Sequence, residues 1–103
     1  MKKFDNSVCL VTGGSSGIGR GIAIEFAKEG AFVVVTDIQE KPKIGKYHDT
    51  DLSTTTLEEI QNIGGEGIFI KTDVSNDNEI TTLVEKIKTD FGKLDILVNN
   101  AGI

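Results

Sequence analysis

The chain has one cysteine, one proline, one histidine and no tryptophan, and aromatic residues make up only 6% of its 103 positions. A lone Cys9 excludes an intrachain disulfide. Set within Val8-Cys9-Leu10-Val11, it reads as a small buried hydrophobe rather than a reactive thiol. Long apolar runs are missing too. The longest, Ala31 to Val35, falls far short of a membrane span. Positive charge is scarce: 11 Lys and Arg stand against 16 Asp and Glu, for a formal charge of −5 and a pI near 4.7. That balance argues against nucleic acid, because phosphate binding on that scale needs a basic face. It leaves a dinucleotide open, since backbone amides at a helix start hold a pyrophosphate without net positive charge. The opening residues Met1-Lys2-Lys3-Phe4-Asp5-Asn6 run into polar side chains, so no signal peptide is expected and cytoplasmic residence is the default.

What remains is an ordinary soluble balance, 38% apolar and 26% charged, in a length that suits one domain at most. Short β-branched runs alternate with longer segments of helical period, the pattern of βαβ units around a parallel sheet. Ser7 to Thr12 reads as a first strand, apolar and therefore buried on both faces. A helix from about Ile18 to Glu29 presents Ile18, Ile22, Ala23, Phe26 and Ala27 on one face and stops at Gly30. Ala31 to Thr36 is the second strand. A polar loop follows over about 39–51, holding Pro42, Tyr47 and His48. A second helix is expected from near Ser53 to the break at Gly64-Gly65, and a third strand over Ile68 to Lys71. The third helix carries Ile80, Leu83, Val84, Ile87 and Phe91 at helical spacing. Ser75 or Asn76 caps it, with Glu79 placed to close a capping box from Asn76, and Gly92 ends it. Leu94 to Asn99 is a fourth strand. Right-handed crossovers then give the order 3-2-1-4, a partial Rossmann, doubly wound α/β domain spanning 1–103.

The chemistry concentrates in Thr12-Gly13-Gly14-Ser15-Ser16-Gly17-Ile18-Gly19, which follows a strand and opens a helix. Gly13 suits the tight turn, Gly17 the close approach of backbone to a pyrophosphate, and Gly19 close packing of helix on sheet. Ser15 and Ser16 offer hydroxyl donors, and the helix dipole favours an anion. A P-loop is excluded. Gly14 and Gly19 have its glycine spacing, but Arg20-Gly21 stands where Lys and then Ser or Thr are required. Asp37, at the end of the second strand, is placed to accept from both adenosine ribose hydroxyls and to repel the phosphate that NADP carries there. The competing reading is a solvated loop aspartate. Arg20 is expected to point outward.

Together these residues resemble the short-chain dehydrogenase/reductase family. Thr12-Gly-x-x-x-Gly-x-Gly19 is similar to its glycine motif, Asp73-Val74 to its adenine-contacting pair, and Asn99-Asn100-Ala101-Gly102 to its Asn-Asn-Ala-Gly segment. The resemblance implies a pyrophosphate lined by Gly13, Ser15, Ser16, Gly17, Ile18 and Gly19, with the ribose on Asp37 and NAD preferred over NADP. It implies that Asp73 accepts from the adenine amino group and Val74 packs on the ring. Asn100, Ala101 and Gly102 would border the ribose and nicotinamide side, with Asn99 bracing the sheet. Blander roles stay open: Asp73 as a helix cap, the two asparagines as a turn. An adenosine-binding methyltransferase would share the turn and the acid but not the Asn-Asn-Ala-Gly segment.

The implied activity is hydride transfer between a nicotinamide and a small alcohol or carbonyl substrate. The family's serine, tyrosine and lysine lie beyond the Asn-Asn-Ala-Gly segment, so these 103 residues alone are expected to be inactive. Tyr47 has Asp51, not lysine, four residues on. The alternative is a non-catalytic nucleotide-binding module or an inert remnant. The fourth strand would be an open sheet edge, making a marginal, association-prone chain that NAD stabilises.

Overall fold

The computed structural model describes residues 3–15, 17–40, 54–73 and 75–100. Four parallel strands, β1 (Val8–Thr12), β2 (Phe32–Asp37), β3 (Glu66–Lys71) and β4 (Ile96–Asn99), form one sheet in the order β3-β2-β1-β4. Between them run α1 (Gly17–Lys28), α2 (Thr56–Asn62) and α3 (Asp77–Phe91). The expected partial Rossmann topology is the observed one.

Side chains alternate across a strand, and here the alternation sorts the core into two layers. Cys9, Val11, Val33 and Val35 face α1 and α2, where Ala23, Ala27 and Ile60 meet them. Val8, Leu10 and Val34 face the other way, onto Leu83 and Ile87 of α3. All five residues of β1 are buried, as its unbroken apolar run demands. Among the described residues no helix is long and apolar enough to cross a membrane.

Several expectations are corrected. On α1 the expected Ala23 and Ala27 are buried, but Gly19 and Arg20 complete the stripe, while Ile18 is 74% exposed at the helix start. Small residues face the sheet because α1 rests close against it, and the bulky Ile18 is left outside. The capping box expected on α3 is open. Asn76 does cap it, accepting from Asn78 N and Glu79 N, but Asn76 N donates to Asp73 O. With that donor taken, Glu79 accepts from Asp73 N instead. A closed box stands on α2, where Thr55 accepts from Glu58 N and Glu58 accepts from Thr55 N. β3 begins two residues early because Glu66 and Gly67 pair with Phe32 and Val33 of the long central strand. Position 67 requires glycine, because a Cβ there would overlap the Val33 carbonyl oxygen. β4 starts late. Asp95 brackets the start of β1, its N–H donating to Val8 O and its carboxylate accepting from Val8 N at 2.8 Å. The expected loop over 39–51, with Tyr47 and His48, falls beyond residue 40 outside the described residues.

Candidate functional site

The carboxyl ends of β1, β2 and β4 converge on the segment that joins β1 to α1. Gly13 (φ 64) and Gly17 (φ 61) both take the left-handed region, which glycine enters without the clash a Cβ would make. The reversal they allow delivers the chain straight into α1. Its first-turn N–H groups have no carbonyl partners within the helix and sit at the positive end of its dipole. Gly19 is required for a different reason. A Cβ there would overlap the Gly13 carbonyl oxygen and lie 2.6 Å from Asn100 Nδ2.

Two neighbouring strands lock this turn. From β4, Asn100 Nδ2 donates to Gly13 O at 3.2 Å and Asn100 N donates to Thr12 Oγ1 at 3.0 Å. Thr12 Oγ1 in turn donates to Asn99 Oδ1 at 3.1 Å, so Asn99 braces β4 against β1. From β2, Asp37 Oδ2 accepts from Ser15 N at 3.2 Å while Oδ1 accepts from Ile38 N at 2.8 Å. Asp37 is only 7% exposed, and each of its carboxylate oxygens accepts from a backbone N–H. Parallel strands and short connections thus bring residues 13, 37 and 100 into one cluster.

Ser15 is buried and committed: its hydroxyl donates to Gln39 O at 2.6 Å, not outward as a phosphate donor. Asp73 is exposed beyond β3 and accepts from Ser75 Oγ at 2.6 Å and Ser75 N at 2.9 Å. Those two bonds, the hydroxyl first, hold its carboxyl below the usual range. Ser16, Val74, Ala101 and Gly102, expected at the site, lie outside the described residues.

Arg20 is the clearest correction. It is 4% exposed rather than outward-facing. Its guanidinium donates to Thr54 O at 2.7 Å and to Thr54 Oγ1 at 2.9 Å. The sequence reading also missed Thr56, whose hydroxyl donates to Gly14 O at 2.6 Å. Its signal was the run Thr54-Thr55-Thr56 at a helix start, which local pattern alone assigns to capping. A concavity of about 750 Å³ lies at the opposite, amino end of the strands, between Ser7, Val8, Phe32, Gly65 and Phe91. It contains none of the turn residues. The candidate site is therefore defined by convergent polar groups at the carboxyl edge and not by that hollow, as open α/β sheets favour.

The family model described as short chain dehydrogenase matches residues 7–103. The 3beta-hydroxysteroid dehydrogenase of Mediterraneibacter gnavus is 42% identical over 103 residues, 100% of this chain and 34% of that protein. The 7alpha-hydroxysteroid dehydrogenase of Escherichia coli K12 is 37% identical over 97% of this chain and 35% of its own length. The chain thus spans about a third of the length of these curated relatives. Among solved structures, a hydroxysteroid dehydrogenase from Escherichia coli superposes with a TM-score of 0.79 at 37% identity, covering 97% of this chain and 38% of that one. A short-chain type dehydrogenase/reductase from Mycobacterium marinum gives 0.79 at 29% identity, over 97% and 36%.

Proposed function

The chain belongs to the short-chain dehydrogenase family, and from that premise we propose that its glycine turn holds the diphosphate of NAD while Asp37 holds the adenosine ribose. In a protein of its relatives' length this segment would serve hydride transfer between the nicotinamide and a small alcohol or carbonyl. The bound coenzyme supplies the hydride chemistry itself.

The residues present fit that group. The N–H groups of Gly17, Ile18 and Gly19 at the start of α1 bind the anion through backbone and dipole. No cationic side chain is required, and Arg20 is spent on Thr54. Ile18, exposed at the helix start, gives the coenzyme an apolar surface to lie against. Asp73 and Val74 receive the adenine, and Asn100, Ala101 and Gly102 border the ribose and nicotinamide side. The observation that carries the reading is the Asp37 carboxylate held 3.2 Å from the amide of Ser15, inside the glycine turn. An anion fixed there accepts from ribose hydroxyls and repels a phosphate on the same ribose. NAD is therefore preferred over NADP.

Calorimetric titration of the intact protein with NAD and NADP tests this. Asp37→Ala loosens Ser15 as well, so both ligands weaken and the ratio is the informative quantity. Loss of charge-assisted bonds to the ribose should lower the NAD-over-NADP preference by about tenfold or more. Equal losses for the two coenzymes would remove the ribose assignment.

A further inference from the structure

The glycine turn is gripped from the side by α2. Thr56, the first residue of that helix and 1% exposed, donates its hydroxyl to Gly14 O at 2.6 Å in a buried hydrogen bond. The N–H of the same peptide unit belongs to Ser15 and donates to Asp37 Oδ2 at 3.2 Å. Gly14 N donates to Thr36 O at 3.1 Å. One peptide plane is thus held at its carbonyl by α2 and at its N–H by the end of β2. A second tie runs beside it. Arg20, in the first turns of α1, bonds both the carbonyl and the hydroxyl of Thr54, and that hydroxyl donates onward to Glu59 Oε1 at 2.8 Å.

This grip answers a physical need. Gly13 and Gly14 are adjacent, and glycine pairs sample the widest backbone space of any dipeptide. Stiffening by a side chain is blocked, because a Cβ on Gly14 would lie 2.9 Å from Val35 Cγ1 and 3.3 Å from Val11 O. Constraint must come from hydrogen bonds to the backbone itself. Fixing the Gly14–Ser15 plane fixes the direction from which the chain enters α1, and with it the aim of the amides that follow. A site already aimed does not lose that freedom when ligand binds.

We infer that Thr56 is a positioning residue for the diphosphate turn, acting through Gly14 and reinforced by the Arg20–Thr54 tie. The inference rests on the coenzyme reading above. Thr56 is buried beneath the turn and acts on a ligand through the peptide it holds.

The test compares Thr56→Val, which keeps the shape and removes the hydroxyl, with Thr56→Ser, which keeps the hydroxyl. NAD, ADP and adenosine are titrated into the intact protein, with thermal midpoints recorded. Thr56→Val should weaken NAD and ADP about five- to tenfold, the worth of one buried hydrogen bond, and leave adenosine within about twofold. Thr56→Ser should restore both diphosphates to within about twofold of the parent. A role in folding alone would lower all three ligands together, and that result, or no change in any of them, overturns the inference. Should Thr56→Val fail to fold, Arg20→Met is read by the same split: diphosphates falling relative to adenosine support it, and equal losses overturn it. If the unaltered protein does not bind NAD at all, the coenzyme reading fails first and the inference falls with it.

Discussion

Cys9 is the second residue of β1, with its side chain toward α1, fully buried and without a charged neighbour among the groups that set its ionisation. Burial pushes the thiol from its ordinary 9.0 up to about 11, because a thiolate there would lose its hydration. In the folded protein it should therefore resist alkylation by iodoacetamide at neutral pH and react once urea opens the domain. The linkage has a definite sign. The folded pKa is raised, so this contribution is fully present below 9.0 and is lost as pH rises through about 11. Rapid stoichiometric labelling of the folded protein at neutral pH would contradict the placement. Burial of Cys9 was legible from its apolar neighbours. Arg20 was not, because its partner Thr54 lies 34 residues away and helical periodicity carries no information about a distant carbonyl. Asp37 falls between: its place at the end of β2 follows from the strand pattern, but its bond to Ser15 exists only because β1 and β2 run parallel in register.

Elements with strong periodicity were the most legible. Of the expected face of α3, Leu83, Val84, Ile87 and Phe91 pack with the strands, while Ile80 at the helix start is not part of that cluster. On α1 the expected Ala23 and Ala27 are buried, but close approach adds Gly19 to the stripe and leaves Ile18 outside it. Boundaries failed where a neighbouring strand or side chain decides them, as at Gly67, paired to Val33, and Asp95, bonded to Val8. The two capping motifs show the same competition at helix ends. Asn76 shares its surroundings with Asp73, so Glu79 is drawn away, whereas Thr55 meets Glu58 without a rival. Thr55→Ala should lower stability by about 1 kcal/mol, and Thr55→Ser should recover most of it. Denaturant unfolding checks this, and an unchanged midpoint for Thr55→Ala would mean that the cap does not contribute. Because Thr56 follows directly, the cap also stiffens the element that grips Gly14.

At the scale of the whole molecule the order β3-β2-β1-β4 was readable from the alternation of strand and helix, since right-handed crossovers leave few other arrangements. Its consequence for function is positional: parallel strands put every carboxyl end on one edge, so Gly13, Asp37 and Asn100 meet there although the chain separates them widely. The sheet ends in β4, whose Leu97 is 57% exposed where no helix among the described residues covers it. Strand order was legible because it follows from local pattern plus handedness. The uncovered face of β4 was not, since it depends on which element packs over it. The hollow at the amino end of the strands then competes with the glycine turn as a binding place, and amide resonances of the intact protein titrated with NAD distinguish them. The account predicts that the amides of Gly13, Gly17, Ile18, Gly19 and Ile38 shift together and saturate. Shifts gathered instead at Ser7, Phe32 and Gly65, with the glycine turn unmoved, would contradict it.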